Sequence, residues 1–369
     1  MTPTRSRPLT IVADDLTGAC DAGALFAGRA SVPVTVWPRR AVADAAVRVV
    51  DTETRRLTAE EAAERLATVG SHGRAGRHFK KIDSTLRGPI GSEVDALMRA
   101  TGAATAIVCP AFPAQGRVVL DRLCLVNGVP VAETPTGRDP LFPVVTSSVV
   151  ETLRPQCDRA LSWIPIDQLR AGVDTLTARI GRLAGTVIVA DAETDTDLDT
   201  LVEAALTVVP PPLLAGSAGM ARALAARLGL LPERAELPSG RRWLIVAGSV
   251  QPATRRQIKE ARAAGLTVLA TPERRVADPA DAIVRLAAQA AAAIEKERWD
   301  LVAVTGGETA VALWVALGAD RLDLVGVPAS GLALGHLRVR GREPLTLLTK
   351  AGGFGPPDLF VSLQKEAVA

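Results

Sequence analysis

The stretch Leu301-Val-Ala-Val-Thr-Gly-Gly-Glu-Thr309 runs an apolar segment straight into a Thr-Gly-Gly turn, and an Ala-rich helical pattern starts at Glu308. Such a stretch reads as a buried strand, a tight glycine turn and a helix N-terminus. That arrangement gathers free backbone N–H groups and the positive end of a helix dipole at one point, which suits a phosphate. Read alone, it also fits an ordinary strand-to-helix turn of an α/β protein. The pattern recurs, however. Trp243–Ser249 is a second apolar run, ending in Gly-Ser with Pro252 opening a helix, and Leu345–Gly355 is a third, ending in a glycine cluster beside Lys350. Ligands of open α/β sheets bind outside the carboxyl ends of the strands. Three such turns in the last third of the chain therefore predict one nucleotide site made from strand ends. Neither G-x-x-x-x-G-K-[ST] nor a strand-linked G-x-G-x-x-G is present, which disfavours a P-loop NTPase and a standard dinucleotide-binding domain.

A chain of 369 residues is long for one core, so two domains are expected. The best linker is the polar, Pro-containing segment at residues 231–241, which divides the chain into domains 1–230 and 242–369. Net charge is only +3, tyrosine is absent and aromatics total 3%, so no nucleic-acid surface is expected. The four cysteines lack C-x-x-C spacing and read as reduced thiols of a cytoplasmic protein. His72, His78 and His336 are too far apart for a metal motif. No apolar run reaches membrane-spanning length, and the basic start, Met1–Pro8, lacks the apolar region of a signal peptide.

Polar residues also collect at strand ends in the first two thirds. Leu9–Ala13 is a short strand pattern that ends in Asp14-Asp15. Adjacent carboxylates there are costly to bury unless used or paired, although Asp15 also suits a helix cap with Asp14 solvated. Arg55 falls between a strand end and the capping box Thr58–Glu61, where it is either a carboxylate grip or a surface arginine. Lys81-Ile-Asp-Ser-Thr-Leu-Arg87 packs two cations, a carboxylate and two hydroxyls at another strand end. That composition suits a polyol acid; it also suits a polar turn with an internal Lys–Asp pair. Asn127-Gly128 signals a hairpin. Arg117, Asn127 and Arg138-Asp139 either border a pocket or only shape their loop, and Gly216–Met220 is either another ligand turn or close helix-on-sheet packing. Val327–Gly331 and Leu334–His336 read as loops, and Asp278 caps a long Ala-rich helix with Pro279 at its first position.

Together these motifs resemble the four-carbon acid sugar kinase family over nearly the whole chain. The resemblance rests on Ala-Asp-Asp-Leu-Thr-Gly-Ala at 13–19, Lys-Ile-Asp-Ser-Thr-Leu-Arg-Gly at 81–88, Pro-Ala-Phe-Pro with Gly-Arg at 110–117, and Glu-Thr-Pro with Arg-Asp-Pro at 133–140. It continues through Gly-Ser-Ala-Gly at 216–219, Gly-Ser at 248–249, Thr-Gly-Gly-Glu-Thr at 305–309 and Lys-Ala-Gly-Gly-Phe-Gly at 350–355. It implies two α/β domains with largely parallel sheets and an active site in the interdomain cleft. It also implies an ATP-dependent kinase, using Mg²⁺, that phosphorylates the terminal hydroxyl of threonate, erythronate or 3-oxo-tetronate. By motif match, Asp14, Arg55, Lys81, Ile82, Asp83 and Ser84 contact the acid. Ser249, Thr305, Gly306, Gly307, Glu308 and Gly352 contact ATP. The chain departs from the family pattern in being shorter and in carrying Ala351 where a serine is usual.

The mechanism expected from this resemblance sets the acid's carboxylate against Arg55 or Lys81. Asp14 or Asp83 takes the hydroxyl proton, Asp83 being preferred, while glycine-turn amides and Mg²⁺ hold the phosphates, with Glu308 or a water as the metal's further partner. No dedicated protein metal site is expected, and a homodimer is left open. The competing readings are a kinase for a longer or branched sugar acid, a non-catalytic nucleotide or metabolite sensor, and an NAD-dependent sugar-acid dehydrogenase.

Overall fold

The computed structural model describes residues 8–71, 76–138, 143–249, 251–272 and 278–368. In chain order its strands are β1 Leu9–Ala13, β2 Val32–Val36, β3 Val47–Asp51, β4 Arg77–Lys81, β5 Ala106–Cys109, β6 Arg117–Leu120, β7 Leu123–Val126, β8 Val129–Pro130 and β9 Leu161–Ile164. They continue with β10 Val187–Ala190, β11 Leu213–Gly216, β12 Trp243–Ala247, β13 Thr267–Ala270, β14 Leu301–Thr305, β15 Ala319–Gly326, β16 Leu332–Val339 and β17 Leu345–Lys350. Helices alternate with most of them, so the α/β class read from the sequence is the observed one.

The chain divides into two compact units. The first comprises residues up to Ala22 with Val36–Leu231; the second comprises Gly23–Thr35 with the chain from Pro232 onward. The excursion at Gly23–Thr35 carries β2, which pairs antiparallel with β15 through Val34↔Leu322 and Val32↔Leu324.

In the first unit the sheet order is β3-β1-β4-β11-β5-β10-β9, all pairs parallel. β1 is buried along its whole length, as a central strand covered on both faces must be. The chain goes from β1 to β3 on one side and then to β4 on the other. The order therefore reverses at β1, and such a switch point opens a crevice at the strands' carboxyl ends. The three strands end level: Ala13 is in register with Asp51 on β3 and with Lys81 on β4.

The second unit has the order β13-β12-β14-β17-β16-β15-β2, with the first four strands parallel and the rest antiparallel. Here β12 leads to β13 on one side and β14 lies on its other side, a second switch point. The ends again align, Ala247 with Thr305 and Thr305 with Lys350. Its core joins Trp243 and Ile245 of β12, Leu301 of β14 and Leu348 of β17 to Leu359, Phe360 and Leu363 of the C-terminal helix.

Local signals behave as expected at several places. Thr58 and Glu61 exchange capping-box hydrogen bonds, and Asp278 caps its helix through the amides of Ala280 and Asp281. Asn127 and Gly128, with φ of 51° and 79°, form the turn joining β7 to β8. One expectation is corrected: Leu334–His336 is not a loop but the middle of β16. Gly335 hid the strand. A β-carbon there would lie 2.8 Å from the carbonyl oxygen of Asp323, so the close, bulged approach of β15 excludes a side chain.

Candidate active site

At the first switch point the side chains at the ends of β1, β3 and β4 form one ionic cluster. Asp15 follows β1 and caps the helix Leu16–Ala24, accepting the Gly18 amide at 2.9 Å and the Thr17 hydroxyl at 2.7 Å. The capping role foreseen for Asp15 is therefore real, but Asp14 is not solvated; it is only 2% exposed. The segment after β3 is tied to Asp14 by its backbone, since the amides of Thr54 and Arg55 both donate to the Asp14 carbonyl. Arg55 then folds back over the carboxylates. Its Nε donates to Asp14 Oδ2 at 2.6 Å, and one Nη donates to Asp15 Oδ1 at 2.8 Å and stands 3.7 Å from Asp83 Oδ1.

The β4 end supplies the other half. Lys81 Nζ donates to the Ile82 carbonyl at 2.9 Å. A β-carbon on Gly18 would sit 3.0 Å from that nitrogen, so the glycine lets the first helix start against Lys81. Asp83 is gripped bidentately by Arg87, at 2.8 Å for each oxygen, and also accepts the Thr85 amide and hydroxyl. Beneath the cluster, Lys80 Nζ stands 3.1 Å from Glu93 Oε2, and the Thr54 hydroxyl donates to Glu93 Oε1. A cavity of about 510 Å³ adjoins the cluster, lined by Arg55, Arg56, Leu57, Gly88, Pro89 and Gln156 among others.

Electrostatics separate the carboxylates. Burial pushes Asp83 up, but the Arg87 and Arg55 guanidiniums outweigh it and hold the carboxyl well below its ordinary value. Asp14 is also held low, burial being overcome by Arg55, Lys80 and Lys81. Burial pushes Asp21, about two helical turns further on, up to about 6 despite the Lys81 charge. The partners differ too. Among the described residues Asp14 Oδ1 is buried and accepts no hydrogen bond, whereas both oxygens of Asp83 are occupied. An ionised carboxylate with one open oxygen, surrounded by cations, can receive the proton of an incoming hydroxyl.

In the second unit the three glycine turns meet. Gly306 follows β14 with φ 99°, and its amide donates to the Lys350 carbonyl of β17 at 3.1 Å. A β-carbon on Gly248 would lie 2.1 Å from Thr309 Oγ1, and one on Gly352 would lie 2.5 Å from Ser249 Oγ. The turns after β12, β14 and β17 thus pack closely, glycine backbone against the Thr309 and Ser249 side chains. The helix Gly307–Leu317 begins there, and among the described residues no side chain caps its first amides. The Thr305 side chain is fully buried, and among the described residues its hydroxyl has no partner.

The sequence-derived candidates Asp14, Arg55, Lys81, Ile82, Asp83 and Ser84 are therefore brought together in one unit, and Ser249, Thr305, Gly306, Gly307, Glu308 and Gly352 in the other. Other candidates have structural duties. The Asn127 amide donates to the Gly116 carbonyl within the hairpin, and a β-carbon on Gly216 would lie 2.6 Å from Met220 Cβ, so the glycine lets the helix of Met220 pack close to β11. Arg138 is exposed; Asp139, His72 and the start of the chain through Arg7 lie outside the described residues. Sequence reading passed over Lys80, Glu93, Thr254 and Gln257. The lysine's position one residue before Lys81, on a strand whose last residues are buried, was the available signal for the first pair.

Comparison with known proteins gives a consistent picture. A family model described as a sugar-binding N-terminal domain matches residues 9–224, and one described as a nucleotide-binding C-terminal domain matches residues 273–360. The chain is 31% identical to D-threonate kinase of Salmonella typhimurium, with 94% of this chain and 95% of that protein covered. It is 30% identical to 3-oxo-tetronate kinase of Pseudomonas fluorescens, with 98% and 97% covered. Among solved structures, a Bordetella bronchiseptica protein with bound citrate, a domain-swapped dimer, is 30% identical at a TM-score of 0.52, with 98% of each chain covered.

Proposed function

The chain belongs to the four-carbon acid sugar kinase family, and on that premise we propose that it is an ATP-dependent kinase acting on the terminal (4-) hydroxyl of a four-carbon sugar acid such as threonate, erythronate or 3-oxo-tetronate. The observation that carries this reading is the open, buried Oδ1 of Asp14 at the first switch point, beside a lysine with donors to spare.

Residues 1–230 form the acid-binding domain and 242–369 the nucleotide-binding domain, joined by 231–241, with the Gly23–Thr35 excursion lent to the second. The acid's carboxylate binds Lys81. An ammonium carries three protons, and among the described residues only the Ile82 carbonyl uses one, which leaves two for the acid. Arg55 keeps Asp14 and Asp15 oriented, and Ile82 and Ser84 border the acid. Asp14 is the base; Asp83, preferred from sequence, is too fully engaged by Arg87 to take a proton readily. ATP lies against the glycine turns at Ser249, Thr305–Glu308 and Gly352, with the Gly306 amide kept on the Lys350 carbonyl. Among the described residues no cluster of three His, Cys, Asp or Glu could cage a metal ion. Mg²⁺ would come with the nucleotide, with Glu308 or a water as its further partner, and would neutralise phosphate charge, as this ion commonly does with few protein ligands.

A kinase for a longer or branched acid is the second reading, favoured by the citrate bound to the Bordetella protein. That protein's dimer supports a homodimer here. Free cysteines, three of the four buried, support a cytoplasmic location, and no helix among the described residues is long and apolar enough to cross a membrane.

The test is an ADP-release assay with MgATP against D- and L-threonate, D- and L-erythronate, their 3-oxo forms, and five- and six-carbon acids. Turnover on one four-carbon acid supports the proposal and names the substrate. Turnover only on longer acids favours the second reading. No turnover on any acid, with ADP still raising the melting temperature, would leave a nucleotide-binding homologue and overturn the kinase assignment.

A further inference from the structure

The loop that follows β17 is turned inside out. Its carbonyls point inward, onto three buried side chains. Lys350, 1% exposed, donates from Nζ to the carbonyls of Ala351 at 2.9 Å, Gly352 at 3.2 Å and Phe354 at 3.1 Å. Thr254, on the helix Pro252–Ala263, donates its hydroxyl to the Gly352 carbonyl at 2.5 Å. Gln257, one turn further along that helix, donates Nε2 to the carbonyls of Phe354, Gly355 and Pro356 at 2.9, 3.1 and 3.0 Å. Neither Thr254 nor Gln257 has measurable exposure.

In a trans peptide the C=O of one residue and the N–H of the next point in opposite directions. The inward carbonyls of Ala351 and Gly352 therefore send the amides of Gly352 and Gly353 outward. The loop is closed as a turn by the Phe354 amide on the Ala351 carbonyl at 3.3 Å, and among the described residues neither of those two amides donates to a backbone carbonyl. Successive outward amides make an anion nest. The buried ammonium adds a positive charge behind them, and its three protons are matched to three neutral carbonyls rather than to a carboxylate.

We infer that Lys350, Thr254 and Gln257 are positioning residues of the nucleotide site, which hold the Ala351–Pro356 carbonyls inward so that Gly352 and Gly353 present their amides to a nucleotide phosphate. This rests on the nucleotide reading of the second unit. It also accounts for the tolerance of Ala351: the cradle is made by the backbone and by side chains beneath it, so no hydroxyl at position 351 is needed.

The test compares wild type with Thr254→Val, Thr254→Ser and Lys350→Met by ADP titration calorimetry and by steady-state kinetics on whichever acid is turned over. Thr254→Val keeps shape and loses the donor. It should weaken ADP binding by roughly 10-fold, the size of one well-placed hydrogen bond, and raise KM for ATP while leaving kcat and KM for the acid near wild type. Thr254→Ser, which keeps the hydroxyl, should restore ADP affinity. Lys350→Met should lose about 100-fold or more in ADP affinity, since charge and three tethers go together; if it does not fold, the Thr254 pair decides. In wild type the Gly352 and Gly353 amide resonances should move on adding ADP, and they should move less in Thr254→Val. Equal ADP affinity in wild type and Thr254→Val, or loss of affinity in Val and Ser alike, would overturn the positioning role alone. Failure of the wild-type chain to bind ADP would overturn the nucleotide reading and this inference with it.

Discussion

Lys80 Nζ lies 3.1 Å from Glu93 Oε2, with the two side chains 0% and 1% exposed. Such a pair loses more hydration than its own attraction commonly returns, so its presence beneath Asp14 calls for a second duty. The Lys80 charge helps hold the Asp14 carboxyl low, while burial pushes the Glu93 carboxyl up despite Lys80 and the Thr54 hydroxyl.

Lys80→Met strands the Glu93 carboxyl in the core. Urea denaturation should show a loss of about 3–5 kcal/mol, the usual cost of breaking one side of a buried pair. Lys80→Met with Glu93→Leu should recover most of that stability. The single Lys80→Met variant should show the acid limb of the pH–rate profile moved to higher pH, because Asp14 has lost a cation and kept the Glu93 carboxyl as a neighbour. An unmoved limb would assign the pair to folding alone.

Asp14→Asn should reduce kcat by roughly 10²–10⁴-fold, the range for removing a general base, with ADP binding unchanged. Asp83→Asn should disturb KM for the acid more than kcat, because its partners are Arg87 and Thr85. If Asp83→Asn instead costs the larger share of kcat, the base is Asp83.

Asp83 has a depressed folded pKa. Its stabilising contribution is therefore complete above the ordinary carboxylate value of about 3.9 and lost as pH falls through the lower folded value. Arg87→Met removes the largest attraction and leaves burial to raise the carboxyl. Acid unfolding followed by circular dichroism should begin at a higher pH in the variant; coincident curves would refute the coupling.

Burial pushes the Lys350 amine down to about 7. Its register partners are Thr305 and Leu332, and the adjoining helix supplies Thr254 and Gln257, none of which titrates. Between about 7 and the ordinary lysine value near 10.4, the unfolded chain holds a proton that the folded chain has lost. This group's contribution to stability therefore rises with pH across that window. The loop meanwhile loses the third N–H that its carbonyls need. From pH 6.5 to 9, ADP affinity should fall while the wild-type minus Lys350→Met difference in Tm rises. An ADP affinity that falls equally in both proteins would place the titration elsewhere.

Much of the fold was legible because its signals are local. Apolar runs such as Leu9–Ala13 and Leu301–Thr305 end in turn residues, and capping residues such as Asp278 lie next to the amides they serve. β16 was not legible, since its burial is nearly continuous and Gly335 breaks the apolar run for the sake of a neighbouring strand. Nor was the Gly23–Thr35 excursion, because β2 looks like any short apolar strand until β15 is beside it.

The sequence by itself determined which residues stand at strand ends: Asp14 and Asp15, Arg55, Lys81–Asp83, and the glycines after β12, β14 and β17. Strand periodicity and turn chemistry act over a few residues and need no knowledge of the rest. Only the tertiary structure decided what those residues face. The order β3-β1-β4 sets Arg55 on Asp14 across 41 residues of chain, and β17 carries its loop to Thr254 across 98. It also separated the open Asp14 from the engaged Asp83, and the buried Lys80 from its neighbour Lys81. Strand order and burial arise from the whole chain closing on itself, and local propensity has no term for either.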